Sequence, residues 1–375
     1  MLSYSTQLIE EDDISAVVET LKGKFLAQGP KVAAFEEALC TYTGAKYAVA
    51  FNSATSALSG AYHVCGIQEG DEVITTPISF VSTANMFVDI GAKPIWCDVK
   101  LDGNIDEKRI EALITPKTKA IVPVHFGGKP INLDKIHKIA KEHNLLVIED
   151  AAHALGSSIN DDKIGSLSDM SIFSFHAIKP ITTSEGGAVM TNNEEYAKKL
   201  RLFRSHGIIK KSVWNSDMVS MGYNYRLTEV AAALGISQLK KLDRFVAKRN
   251  EIAAYFDERF QNEKLFLTQK IEPHQISSRH LYPIILNPEL HSFKEKIFTE
   301  LQKRGLGVQV HYKPIYQNSF YKEKFCEVSL PAADEFYNSE ISIPCNQTMS
   351  MQDAAFVADT FLDVIHKCLP RESSV

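Results

Sequence analysis

The chain has 375 residues, more than one simple core usually holds, so a large domain with a smaller companion is the expected plan. Apolar residues make up 45%, charged residues 23%, and the net charge is −5. That balance argues against a nucleic-acid surface but leaves room for a local phosphate pocket. No run approaches about 18 uninterrupted apolar residues, and no basic-then-apolar leader opens the chain. Six dispersed cysteines include no C-x-x-C pair. The expectation is a soluble cytoplasmic protein with reduced thiols, no metal site and no membrane partner.

In chain order, residues 47–51 read as a strand, and Asn52-Ser53 opens a helix. Apolar runs follow at 72–76, closed by Pro77, then at 94–99, 120–125 and 145–149. Between the last two lies a helix that Asn132 can cap, with Leu133, Ile136 and Ile139 as its apolar stripe and Asn144 at its end. This rhythm predicts an α/β fold with a mostly parallel sheet covered on both faces. Residues 171–175 and 187–191 read as further strands, and 226–242 and 244–260 as helices. The strand, helix and strand expected at 279–286, 293–304 and 308–312 predict a small α+β C-terminal domain. The division falls between 1–245 and 246–375, and the polar end from Pro370 to Val375 is expected to be mobile.

Ligands of parallel sheets sit beyond the carboxyl ends of the strands. Four segments put polar groups there. In Asn52-Ser53-Ala54-Thr55-Ser56, free N–H groups and hydroxyls open a helix, which suits a phosphate or is simple capping. Asp150 ends a strongly apolar strand and needs a partner, whether a protonated ring nitrogen, a loop or a metal. Lys179 lies between Ile178 and Pro180, past an apolar strand and ahead of Gly186-Gly187. Other lysines sit in polar runs, such as Lys210-Lys211. A desolvated lysine loses its proton easily, as Schiff-base chemistry requires; a solvated loop lysine does not. The fourth segment, Gly222-Tyr223-Asn224-Tyr225-Arg226, alone reads as a helix start. Phe80 suits ring stacking or core packing, and His311-Tyr312 either a pocket wall or a surface turn.

These segments, in this order along nearly the whole chain, resemble the DegT/DnrJ/EryC1/StrS sugar aminotransferase family. Within it, Phe173 to Thr183 and Gln309 to Pro314 are similar to the branch that serves pseudaminic acid biosynthesis. The resemblance implies the fold-type I PLP-dependent transferase architecture. It implies pyridoxal 5′-phosphate, with pyridoxamine phosphate as intermediate, held as a Schiff base on Lys179. Asp150 would pair with the pyridine nitrogen, and Phe80 would stack on the ring opposite Ala152 and His153. Ala54, Thr55 and Ser174 would hold the phosphate, joined by Asn224 from a neighbouring subunit in a homodimer with shared active sites. His311, Tyr312 and Arg226 would contact substrate. The implied reaction moves an amino group from L-glutamate to C4 of a UDP-linked 4-keto-6-deoxy sugar. No local motif reads the sugar's stereochemistry. Another 4-keto or 3-keto sugar nucleotide therefore stays open here, as does a non-catalytic binding protein.

Overall fold

A computed structural model describes residues 1–326 and 328–368; the end from Pro370 to Val375 lies outside the described residues. Seven strands form the central sheet: β1 (Tyr47–Phe51), β2 (Glu72–Thr75), β3 (Lys93–Trp96), β4 (Thr118–Val122), β5 (Leu146–Asp150), β6 (Met170–Ser174) and β7 (Gly187–Thr191). Their order is β3-β2-β4-β5-β6-β7-β1. All run parallel except β7, which is antiparallel to both neighbours, with Gly187 opposite Phe51 and Ser174.

The strands are apolar on both faces, as a sheet covered on both sides requires. In β1, Ala48 and Ala50 join one core while Val49 and Phe51 join the other. Ile121 and Phe173 follow the first, and Val122 and Ile172 the second. The helix Leu133–His143 starts at Asn132, whose side chain accepts from the Lys135 N–H, and ends at Asn144 in the left-handed region (φ 54°), as the sequence predicts.

The helix Leu242–Phe260 links the two halves. Its first part buries Leu242, Phe245 and Val246 in the core of the large sheet. Its second part buries Ile252, Phe256 and Phe260 in a separate core around β8 (Phe266–Thr268), β9 (Tyr282–Leu286) and β10 (Glu340–Ile343).

Two expectations change. Residues 308–312 are not a strand: their backbone pairs with that of β10 only at the isolated bridge from Gln309 to Ser342. The helix expected from Arg226 begins at Glu229, because Thr228 caps it and Arg226 is drawn into a bridge with Phe51. Between Asn192 and Arg226 the chain is helical over Glu194–Phe203, and a hairpin of Ile208–Lys210 and Ser216–Met218 follows. Its tip exposes Val213 and Trp214. Among the described residues, no helix is long and apolar enough to cross a membrane.

Candidate active site

The carboxyl ends of β1, β2, β5 and β6 converge with the start of β7 on a cavity of about 650 Å³. Ala54, Thr55, Phe80, Asp150, His153, Ser174, Lys179, His311 and Tyr312 all line it. Asn224 and Arg226 do not: Asn224 is exposed, and Arg226 is half-buried with its backbone bridged to that of Phe51.

After β1 the chain turns into the helix Ala54–Val64. Ser53 is its N-cap, with its hydroxyl accepting from the Ser56 N–H at 3.1 Å. The first N–H groups of a helix have no intrahelical partner, and the helix dipole favours an anion there. Space for this turn depends on Gly187. A Cβ on it would lie 2.5 Å from the Ala54 nitrogen. Ser174, at the end of β6, completes that wall.

Asp150 is only 5% exposed. Its Oδ2 accepts from Thr83 Oγ1 at 2.6 Å and its Oδ1 from the Ala152 N–H at 3.1 Å. The Thr83 proton points at the carboxylate, so the Ser79 hydroxyl, 2.7 Å away, donates to the Thr83 oxygen. The sequence carries no local signal for Thr83 or Ser79 in this role.

Lys179 is partly buried, and its Nζ lies 3.4 Å from His280 Nε2. Desolvation draws its pKa down to about 8, against the pull of the nearby Asp150 carboxylate. His280 is 1% exposed, and its ring lies 4.4 Å from that of His153, tilted by 50°. Burial, and then the charge of Lys179, hold both imidazoles neutral. His153 Nδ1 accepts from the Gly127 N–H at 3.3 Å, and its Nε2 lies 3.2 Å from the Tyr312 hydroxyl. His280 is a second residue that sequence reasoning missed: it sits 101 positions from the lysine it touches.

Phe80 is 58% exposed, so core packing does not explain it. It stands at the cavity mouth with its ring 6.4 Å from that of Tyr312.

A chemically coherent set results: an anion seat, a buried carboxylate, a lysine poised to lose its proton, and an exposed aromatic face. Known proteins share the frame. A Campylobacter jejuni protein named UDP-4-amino-4,6-dideoxy-N-acetyl-β-L-altrosamine transaminase is 51% identical over 370 residues, covering 98% of each chain. The structure of Helicobacter pylori PseC, an aminotransferase involved in the biosynthesis of pseudoaminic acid, matches with TM-score 0.95 and 43% identity, covering 98% of this chain and 99% of that one. The PLP form of Spr1654 from Streptococcus pneumoniae matches with TM-score 0.93 and 30% identity, covering 98% of this chain and 100% of that one. The model of the DegT/DnrJ/EryC1/StrS aminotransferase family matches residues 7–362. The chain belongs to that family and is an aminotransferase.

Proposed function

We propose that this chain uses pyridoxal 5′-phosphate to move an amino group from L-glutamate to C4 of a UDP-linked 4-keto-6-deoxy-N-acetyl hexosamine, forming UDP-4-amino-4,6-dideoxy-N-acetyl-β-L-altrosamine. The observation that carries this reading is the pairing in one cavity of a desolvated Lys179 with a buried Asp150 carboxylate.

The residues fit that cofactor. The helix start at Ala54 and Thr55, with Ser174, suits its phosphate, and the missing Cβ of Gly187 leaves the turn its room. When bound, the cofactor supplies an electron sink for the carbanion beside the migrating nitrogen. Asp150 would keep the ring nitrogen protonated, and Thr83 and Ala152 hold the carboxylate in place. Lys179, close to losing its proton at neutral pH, binds the cofactor and then carries a proton to and from the amino-bearing carbon. Phe80 would cover one face of the bound ring and His153 the other; both line the cavity. Tyr312 and His311 shape the substrate side of the cavity.

The active unit in this reading is a homodimer with shared sites. Asn224 is exposed beside a hairpin that exposes Val213, Trp214 and Met218, an arrangement suited to reaching a second copy's phosphate seat. In this reading a large domain of residues 1–245 and a small one of 246–375 divide inside the helix Leu242–Phe260, whose Val246 still packs in the large core. Six unpaired cysteines suit work in the reducing cytoplasm.

The test is an absorbance spectrum of wild type and Lys179→Ala, before and after L-glutamate. A visible cofactor band in the wild type that glutamate bleaches, and that the variant lacks or cannot convert, is the expected outcome. A wild type with no band after addition of pyridoxal phosphate overturns the reading.

A further inference from the structure

A buried polar chain outside the Lys179 cluster ends in the same cavity. Glu340 opens β10, and Ser342 follows on the same face; both are 0% exposed, and His311 is 4% exposed. The Ser342 hydroxyl donates to Glu340 Oε1 at 2.5 Å and lies 2.9 Å from His311 Nδ1. Glu340 Oε2 accepts the His311 backbone N–H at 2.6 Å. Gln309 and Ser342 exchange backbone hydrogen bonds of 3.1 and 2.8 Å, which clips this stretch onto β10. A buried carboxylate is costly unless well bonded, and packing alone does not require one here.

We propose that Glu340 and Ser342 are positioning residues that fix the tautomer of His311, making it the acceptor for a hydroxyl or amide N–H of the amino-accepting sugar. This rests on the function proposed above. The argument is a count of hydrogens. Ser342 has one hydroxyl proton, and it points to Glu340. The Ser342 oxygen therefore offers His311 only lone pairs. His311 Nδ1 must carry the ring proton, and Nε2 keeps its lone pair. His311 lines the cavity, so that lone pair is what its ring offers a substrate. Burial, then the charge of Lys179, hold the ring neutral, with its pKa down to about 3.

The groups that act on Glu340 are Lys294, from the helix Lys294–Lys303, and His311, with Tyr312 beside them. Burial outweighs its bonds to Ser342 and the His311 N–H and the Lys294 charge, which favour the ionised form, and leaves the carboxyl raised to about 7. The two substrates differ in what they bring. A sugar carries hydroxyl and acetamido protons, whereas the side-chain carboxylate of glutamate only accepts. A lone pair at Nε2 therefore favours the sugar.

The test measures KM for the UDP-linked 4-keto sugar and for L-glutamate in holoenzyme of wild type, Ser342→Ala, Ser342→Thr and Glu340→Gln. Ser342→Ala should raise the sugar KM by about tenfold more than the glutamate KM, and Ser342→Thr, which keeps the hydroxyl, should restore it. Equal rises in both KM values, or a Ser342→Thr no better than Ser342→Ala at unchanged Tm, overturn the proposal. If Ser342→Ala does not fold, Glu340→Gln carries the test. Its amide N–H turns towards Ser342 and reverses the hydrogen-bond order, so the same selective rise is expected, and an unchanged sugar KM overturns it. A wild type that does not respond to glutamate overturns the amino-transfer reading itself. A normal glutamate response with unselective KM changes overturns only the tautomer assignment.

Discussion

Thr83 Oγ1 donates to Asp150 Oδ2 at 2.6 Å, across 67 residues of sequence. The carboxylate at the end of β5 is thereby steered by a side chain from the first turn of the helix Ser82–Asp89, which follows β2. Hydrogen bonds to charged groups contribute about 1.5–3 kcal/mol. Thr83→Val keeps the shape and removes the donor. It should lower kcat/KM by roughly tenfold or more, read by steady-state kinetics with L-glutamate. Unchanged kinetics would mean that the Ala152 N–H alone suffices.

Gly187→Ala tests the phosphate seat. The new Cβ would meet the Ala54 nitrogen at 2.5 Å and must push the helix start away. Overpacking of this kind costs about 1–3 kcal/mol. A lower Tm should come with weaker retention of pyridoxal phosphate, measured by equilibrium dialysis. A variant that is destabilised but holds the cofactor as tightly as wild type argues against a phosphate at this turn.

Phe80→Ala separates function from packing. The ring is 58% exposed, so stability should change by no more than about 0.5 kcal/mol in a denaturant titration. Activity should nevertheless fall, because the cofactor loses its stacking face. A large loss of stability would assign Phe80 to the core instead.

The pKa of Lys179 is lowered by burial to about 8 from its ordinary 10.5. Below the lowered value the native state must bury a charged amine. Between the two values the unfolded chain binds the proton and the native chain does not, so stability rises with pH across that window. Lys179→Met removes this dependence. In cofactor-free protein it should therefore be more stabilising near about pH 7 than near about pH 10. Thermal melts at the two pH values read the difference, and an equal effect at both would show that the amine is not desolvated.

Complementation tests the shared site. Lys179→Ala and Asn224→Ala should each be impaired alone. Subunits mixed after reversible dissociation should regain activity, because a mixed dimer holds one site with both residues intact. No recovery, with mixed dimers demonstrated by differently tagged subunits, places Asn224 outside the partner's site.

The central strands and the small C-terminal unit were legible in the sequence because they depend on local apolar runs and caps, whereas the order of the strands in the sheet was not. Asn132 and Asn144 bound their helix as read. Lys179, Asp150, Ser174, Phe80 and the turn at Ala54 were legible because each follows a recognisable strand at the edge where such sheets bind ligands. Residues 308–312 were misread as a strand because their alternating pattern does not reveal that only Gln309 pairs its backbone with the backbone of β10. His280, Thr83, Ser342 and Glu340 were not legible. Each acts through a hydrogen bond whose partner is set by the packing of distant elements, and no periodicity records that partner. By itself the sequence determined which strands form and which side chains stand at their carboxyl ends, since these follow from local periodicity and chain direction. Only the tertiary structure decided which polar group faces which, because a hydrogen bond needs its two atoms within about 3 Å, and only the packed fold brings distant residues that close.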